Sequence, residues 1–271
     1  IWPASGLYVI ARLVNKKWRH QVCSTIEEAA AFALNFDRQG VPTYMACAAY
    51  REASIETKKP DGTVWHQVRT HSNVRALKCF YMDLDVKPGN PAAFESQEQA
   101  LDELVTFCEA TKLPMPMVVS SGYGIHIYWT LTNEIIPEQW KQTAEGLKAL
   151  CAHHKFKADP ACTADPARVL RPVGTYNRKV PTEQRAVEII AGANPCGYPS
   201  FAALVTSACR RAKLKPPSEA VRQVASKTET INQDFAVTHD FPPCSGLKVA
   251  DRCKQLGKMR DTRGDIVEPL W

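Results

Sequence analysis

The clearest alternation of apolar and polar side chains covers residues 80–86, Phe-Tyr-Met-Asp-Leu-Asp-Val. Side chains of a β-strand point in turn to its two faces. The run therefore predicts a strand with most of its apolar residues on one face and the carboxylates of Asp83 and Asp85 on the other.

A second run, residues 117–129, predicts two strands joined by a turn that contains glycine. Gly122 and Gly124 can adopt backbone angles that other residues avoid, and they let another group approach the backbone closely. In the strand that follows, His126 and Tyr128 share one face, so the histidine lies just beyond the turn.

The remaining elements follow from helical spacing and from the signals that begin and end helices. A capping box at Ser24 and Glu27 predicts a helix that ends at Gly40, and Ser96 with Gln99 predicts a second helix. Further helices are predicted from Pro137 and over residues 199–214, further strands over residues 7–14, 44–50 and 185–190, and a polar loop over residues 54–72. Strand, helix, hairpin, helix and strand in this order are typical of a split β-α-β sheet, so the sequence predicts an α/β (α+β) fold.

Composition gives only limited information about the class of protein. The chain has 271 residues, 45% of them hydrophobic, which is enough to bury a full core in one large domain or two small ones. A net charge of +6 is a mild bias toward a polyanionic partner. No apolar run approaches the roughly 18 residues of a membrane span and no signal peptide is recognisable, so we expect a cytoplasmic protein without a membrane partner.

Asp83 and Asp85 are candidate metal ligands. Two residues apart on one strand face, they lie about 7 Å from each other along the strand and can share one divalent cation or bracket a pair. Hard oxygen ligands without a nearby thiolate favour Mg²⁺ or Mn²⁺ over zinc. The alternative is an acidic turn at the end of a strand.

The glycine turn and His126 are candidates for phosphate binding. A phosphate there could be held by the histidine side chain and by exposed backbone amides of the turn. The alternative is an ordinary hairpin whose histidine packs against Tyr128.

A third segment, residues 158–179, joins the carboxylates of Asp159 and Asp165 to a dense set of basic and polar groups. Arginine matches phosphate oxygens in a bidentate manner, and lysine supplies a point charge. The alternative is a basic loop on a solvated face. The groups are Arg168, Arg171, Arg178 and Lys179, with Asn177 and the Gly174–Thr175 turn.

In this order and at these separations the three segments resemble the motifs of the archaeo-eukaryotic primase superfamily, and most closely the bifunctional primase–polymerases of phages and plasmids. The motifs are D-x-D on a strand, S-G-x-G-x-H on a hairpin, and an aspartate followed by R-x-x-R-P-x-G-T-x-N-x-K. The resemblance is strong over residues 70–190 and looser over residues 1–212. Two positions depart from the family's usual motifs. Gly124 occupies a position at which many members have serine, and Val173 interrupts R-x-P-G-T.

The resemblance implies an RRM-like catalytic half packed on an N-terminal α/β half, and it implies roles for individual residues. Asp83 and Asp85 match the metal-binding first motif, and His126 matches the histidine that contacts the phosphates of the incoming nucleotide. The third carboxylate is Asp159 or Asp165; Asp159 is preferred because it follows an apolar-leaning run, whereas Asp165 could be a local turn cap. The other nucleotide-binding candidates are Ser121, Gly122, Gly124, Arg168, Arg171, Asn177 and Lys179.

The predicted function is therefore template-dependent nucleotidyl transfer, with two Mg²⁺ or Mn²⁺ ions, nucleoside triphosphates and a single-stranded DNA template, in phage or plasmid replication. Two alternatives remain. A D-x-D glycosyltransferase would bind a sugar nucleotide through a metal, but it does not predict the later basic cluster. A non-catalytic module that binds a replication origin or single-stranded DNA would explain the charge, but it has no use for three carboxylates.

The predicted domain organisation is a catalytic domain over residues 1–214, a polar linker over 215–243 and a short helical segment over 244–271, with a helix over 246–257. The segment is expected to begin a further domain, since the chain starts at Ile1 without methionine and its end resembles the start of another element. The resemblance implies that such chains often continue into a helicase domain.

The ten cysteines are spread singly, without a C-x-x-C pair, and are expected to be mostly buried, reduced thiols. Two weak zinc candidates are the cluster Cys151, His153, His154 and Cys162, whose spacing fits no standard zinc pattern, and a half-site at Cys244 and Cys253. Zinc is therefore not expected within this chain.

Overall fold

The computed structural model describes residues 1–58, 61–180 and 182–217, and the statements below concern these ranges. Of the predicted linker only residues 215–217 are included. The segment 244–271, its predicted helix and the half-site at Cys244 and Cys253 lie outside the described residues.

Thirteen strands and five helices make up the described part of the fold, which confirms the predicted mixed α/β (α+β) class. The strands are β1 Tyr8–Val14, β2 Lys17–Cys23, β3 Thr43–Ala46, β4 Ala48–Tyr50, β5 Ile55–Lys58, β6 Val64–Gln67, β7 Val74–Leu84, β8 Met117–Ser120, β9 Ile125–Ile135, β10 Val169–Leu170, β11 Tyr176–Val180, β12 Glu183–Ala186 and β13 Glu188–Ala191. The helices are α1 Ile26–Arg38, α2 Gln97–Thr111, α3 Pro137–His153, α4 Pro160–Thr163 and α5 Tyr198–Arg211.

The N-terminal half is an antiparallel sheet of order β10-β3-β1-β2, against which α1 packs. The N-cap of α1 is Thr25, one residue later than the predicted Ser24. The Glu28 N–H donates to the Thr25 hydroxyl at 3.1 Å, and the Glu28 carboxylate accepts from the Ser24 N–H at 2.7 Å. The run S-T-I-E-E contains two overlapping capping boxes, and the folded geometry uses the second one.

The second sheet has five strands, in the order β13-β8-β9-β7-β4. The apolar face of β7 is covered by α3, where the Phe80 ring stacks on Trp140 with 5.9 Å between centroids. The helix starts predicted at Ser96 and Pro137 are confirmed, since the Ser96 hydroxyl accepts from the Gln99 N–H and Pro137 opens α3.

The assignment and order of the strands in the two sheets differ from those predicted for a split β-α-β sheet. The predicted strand at residues 44–50 divides at Cys47 into β3 and β4, which belong to different sheets. Strand β4 occupies the edge beside β7, so the closing strand β13 pairs with β8 instead. The predicted closing strand at residues 185–190 likewise divides between β12 and β13, and the predicted polar loop over residues 54–72 contains the hairpin of β5 and β6.

The described chain passes between the two sheets three times: from β3 to β4, from the five-stranded sheet back to β10, which pairs with β3, and from β10 on to β13, which pairs with β8. This arrangement places residues 159–171 at the junction of the two sheets. Within the described ranges, no helix combines the length and apolar character needed to cross a bilayer.

Candidate active site

Asp83 and His126 lie directly opposite each other on neighbouring strands. Both belong to the face of the sheet that points away from α3, because Asp83 on β7 is in register with His126 on β9. The Asp83 Oδ1 and His126 Nε2 atoms are 3.8 Å apart. The predicted first and second motifs therefore meet at this point.

Asp159 joins them through the backbone. Its N–H donates to the Asp83 carbonyl at 2.9 Å, at the start of the short helix α4. Its Oδ1 caps α4 by accepting from the Ala161 N–H at 2.9 Å, and its Oδ2 accepts from the Arg168 guanidinium at 2.7 Å. The preferred third-motif carboxylate thus lies beside the first motif.

Asp165 has different partners. Its Oδ1 accepts from the Ala167 N–H at 2.9 Å and lies 2.9 Å from His71 Nε2. Asp165 caps a local turn, as expected, and Asp159 is also a cap, at the start of α4. Their other partners distinguish them, since Asp159 pairs with Arg168 and Asp165 faces His71.

Asp85 follows the end of β7 and is half-exposed. Its Oδ2 accepts from the Lys87 ammonium at 2.7 Å. The lysine is two residues further along the chain, so the first motif carries its own counter-charge.

The three carboxylates interact electrostatically. The pKa of Asp83 is raised to about 7, first by burial and then by the negative charges of Asp85 and Asp159, against the opposite effect of Arg168 and Arg171. Carboxylates that repel one another in this way are chemically suited to a hard divalent cation, which would neutralise their charge. In the arrangement described here Asp85 and Asp159 are held by Lys87 and Arg168, and no three His, Cys, Asp or Glu side chains of the described ranges are grouped so as to enclose an ion.

His126 is buried and neutral. Burial, followed by the positive charge of Arg171, lowers its pKa to about 3. Only 2% of the side chain is exposed, and its buried Nδ1 has no hydrogen-bond partner among the described residues. The Tyr128 ring lies edge-on to it, with 6.4 Å between centroids, so the histidine does pack near this tyrosine.

The two glycines of the turn are needed for packing. Gly122 has a φ of +90°, and a Cβ there would lie 2.7 Å from the Cβ of Asn177. A Cβ on Gly124 would lie 2.7 Å from the Leu84 carbonyl oxygen. Glycine is therefore required because β7 and the segment after β10 approach the turn closely.

The backbone amides of this turn are already used within it. The Ser121 N–H donates to the Gly124 carbonyl at 2.9 Å, and the Gly124 N–H donates to the Ser121 hydroxyl at 3.2 Å. The Gly122 N–H donates to the Ser120 hydroxyl at 3.2 Å. These donors therefore stabilise the turn itself, and nucleotide binding by Ser121, Gly122 and Gly124 stays a prediction.

The side chains of Asn177 and Arg178 also have partners within the protein. The buried amide of Asn177 donates to the Ser121 carbonyl at 2.6 Å, and its oxygen accepts from the Lys179 N–H at 3.1 Å. Arg178 forms a buried ion pair with Asp37 of α1. These two residues join the third motif to the turn and to α1, and contact of Asn177 with a nucleotide stays a prediction.

The remaining basic candidates divide by position. Arg168 and Arg171 are close enough to act on the pKa of Asp83. Arg171 donates to the Tyr44 hydroxyl at 3.0 Å and lies over its ring, 4.7 Å from the centroid. Lys179 is exposed on the hairpin of β11 and β12.

Sequence reasoning missed Lys87, Gln97 and Tyr44. The Gln97 amide donates to the Gly124 carbonyl at 2.9 Å and to the Ser120 hydroxyl at 3.1 Å, which fixes the turn against α2. The D-x-D-x-K spacing was a usable signal for Lys87. No local pattern could identify Gln97 or Tyr44, because their partners lie far away in the chain.

The weak zinc candidates within residues 151–162 lie on two sides of β7. The Cys151 thiol contacts the Met82 sulfur at 3.7 Å, on the side of α3. Cys162 lies near Asp83, whose charge acts on the pKa of its thiol. All eight described cysteines are free thiols, and all but Cys196 are buried.

No protein-family model matches the chain, and no curated protein matches it. Among solved structures it is similar to the AEP domain of the cyanophage S-2L primase–polymerase, with 14% identity over 74% of this chain and 89% of that one, at a TM-score of 0.50. Two structures of the primase RepB′ are also similar. One has 17% identity over 83% of this chain and 62% of that one, at a TM-score of 0.47. The other, a catalytic domain in complex with initiator DNA, has 16% identity over 83% and 92%, at a TM-score of 0.46.

At these identities structural similarity shows a shared fold. The cyanophage domain is matched over most of its length, and the described residues of this chain contain the same mixed architecture. The three sequence motifs predicted this outcome independently of any structure. The chain therefore shares the fold of that cyanophage AEP domain.

Proposed function

We propose that this chain is a template-dependent nucleotidyltransferase, a primase–polymerase that synthesises and extends primers on single-stranded DNA in phage or plasmid replication. The observation that supports it best is the meeting of Asp83, Asp159 and His126 at the junction of the two sheets, in a fold shared with a phage primase–polymerase domain. Each residue comes from a different motif.

Asp83, Asp85 and Asp159 are the residues that would hold Mg²⁺ or Mn²⁺. When bound, a pair of such ions activates the attacking 3′-hydroxyl and neutralises the triphosphate. The side chains of Lys87 and Arg168 neutralise Asp85 and Asp159 in the arrangement described here. Once those carboxylates have another positive partner, Lys87 and Arg168 can turn to the phosphates, which arginine binds well.

His126 completes the phosphate-binding side of the proposal. The histidine is neutral, so one ring nitrogen carries a hydrogen and the other does not. Because its Nδ1 has no partner among the described residues, it has hydrogen-bonding capacity left for a nucleotide. An anionic phosphate nearby would favour the protonated ring and so strengthen the contact.

A non-catalytic module that binds single-stranded DNA is the second candidate. The observation in its favour is that Asp85 and Asp159 are each held by a cation, as in a structural ion pair. It does not explain why a third carboxylate, Asp83, is kept beside them at a raised pKa.

Primer synthesis separates the two candidates. The chain is incubated with single-stranded DNA, a labelled nucleotide and Mg²⁺ or Mn²⁺, without a primer. New oligonucleotides are expected from the wild type and from the control Asp102→Asn, an exposed aspartate of α2, but not from Asp83→Asn. DNA binding should survive in all three. Binding without synthesis by the wild type would favour the second candidate, and equal synthesis by Asp83→Asn would contradict the assigned site.

A further inference from the structure

A cluster of aromatic and basic side chains, of which Trp18 is exposed and the others are half-buried, lies on the face of the N-terminal sheet opposite α1. The Trp18 ring, 45% exposed, lies edge-on to the Tyr44 ring with 5.1 Å between centroids. The guanidinium of Arg171 lies over Tyr44, and that of Arg69 lies 5.7 Å from the Trp18 centroid. We call Trp18, Tyr44, Arg69 and Arg171 the aromatic platform.

Strand order explains how the platform forms. Trp18 is on β2 and Tyr44 on β3, with β1 between them. The β1 residue in register with Tyr44 is Ala11, whose small side chain leaves the two rings free to meet. Arg171 reaches Tyr44 because it follows β10, which pairs with β3.

The platform keeps its positive charge. Arg69 donates twice to the Ala167 carbonyl, at 3.2 and 3.0 Å, and lies 3.3 Å from the His20 ring nitrogen. Burial and then the charge of Arg69 lower the pKa of His20 to about 4, so this imidazole is neutral at neutral pH. Arg171 donates to the neutral hydroxyl of Tyr44. None of these partners cancels a guanidinium charge.

We propose that the aromatic platform stacks a base of the single-stranded template while Arg69 and Arg171 hold its phosphates. This inference rests on the proposed function and identifies the surface on which the template lies. A tryptophan face stacks on any base, and nearby guanidinium groups bind the backbone, so the combination suits a strand read without sequence preference. A duplex does not expose its base faces to such a surface.

Arg171 connects the platform to the candidate active site. It contacts Tyr44 on one side and acts electrostatically on Asp83 and His126 on the other. A DNA strand bound on the aromatic platform would therefore extend toward the three carboxylates. The nucleotide is assigned to the carboxylates themselves, so the platform is left for the template.

The test measures binding of labelled oligo(dT) to the whole chain in EDTA without nucleotide. Trp18→Ala should weaken binding by about 5- to 100-fold, the usual effect of removing a stacking aromatic. Trp18→Phe, which keeps an aromatic face, should stay within about threefold of the wild type and guards against misfolding. Trp65→Ala, the same change at an exposed tryptophan of β6, should bind like the wild type.

An abasic strand of the same length separates base stacking from charge. The wild type and Trp18→Ala should bind it equally, because it has no bases to stack. The dependence of oligo(dT) binding on salt should be unchanged in Trp18→Ala but shallower in Arg171→Gln, which loses a phosphate contact. The proposal would be overturned if Trp18→Ala lost as much affinity for the abasic strand as for oligo(dT). It would also be overturned if Trp18→Ala and Trp65→Ala lost equal affinity for oligo(dT).

Failure of the platform and failure of the proposed function give different results. Primer synthesis by the wild type with unchanged oligo(dT) binding by Trp18→Ala rejects the platform alone. A base-dependent loss of binding in Trp18→Ala, in a chain that makes no primers, supports the platform and rejects nucleotidyl transfer.

Discussion

The Asp159 N–H donates to the carbonyl of Asp83 at 2.9 Å, so the third motif is held against the first by a backbone hydrogen bond. Such a bond does not depend on either carboxylate being charged. It places the two carboxylates near each other, and the charge of Asp159 adds to burial and to the charge of Asp85 in raising the pKa of Asp83. This arrangement leads to four predictions.

The first prediction concerns pH and stability. The pKa of Asp83 rises from 3.8 to about 7 on folding, so its stabilising contribution is fully present below about pH 4 and is lost as the pH rises through 7. In EDTA at pH 8, Asp83→Asn should therefore be more stable than the wild type, by about 1–3 kcal/mol. Denaturant unfolding between pH 4 and 8 measures the difference.

That difference should shrink toward zero as the pH falls to 4, because the wild-type carboxyl then binds its proton. The exposed Asp102→Asn variant should show no such trend. A difference that is the same at every pH would mean that Asp83 is not buried among like charges.

The second prediction distinguishes the two third-motif carboxylates. Asp159→Ala should abolish primer synthesis in the same way as loss of Asp83. Asp165→Ala should keep synthesis and lose about 1 kcal/mol of stability, since it removes a turn cap and the contact with His71. Synthesis assays and thermal melts of both variants decide the assignment, and the reverse pattern would move the third ligand to Asp165.

The third prediction concerns the glycine turn. Gly122→Ala should destabilise the fold by about 1–3 kcal/mol, because φ is +90° and the new Cβ would collide with Asn177. Gly192→Ala is the matched control, since a Cβ there meets nothing within 4 Å and its φ lies outside the left-handed range. Equal unfolding midpoints for the two variants would show that the turn tolerates a side chain.

The fourth prediction concerns His126. Its replacement by alanine should weaken nucleotide binding by roughly 1.5–3 kcal/mol, the range for a hydrogen bond to a charged group, and should leave the affinity for single-stranded DNA nearly unchanged. Separate titrations with nucleotide and with DNA test this. Equal losses for both ligands, or an unchanged nucleotide affinity, would make the histidine structural.

Much of the fold could be predicted from local patterns. The alternation around Asp83 predicted β7, and the signals at Ser96 and Pro137 predicted the starts of α2 and α3, because strand alternation and helix capping depend on neighbours in the chain. The assignment of strands to sheets could not be predicted. Residues 44–50 read as one strand, yet Cys47 separates two strands that pair with partners far away in sequence.

The sequence by itself determined which chemical groups the protein carries and in what order: the carboxylates of Asp83 and Asp85, then His126, then the third motif. Tertiary structure alone decided which partners each group has, because those partners are distant in the chain. Asn177 and Arg178 belong to the same basic segment as Arg171. Asn177, however, donates to the Ser121 carbonyl and Arg178 pairs with Asp37, so both are held inside the protein. Arg171 instead remains beside Tyr44 and Asp83, since the short strand β10 brings it to the junction of the two sheets.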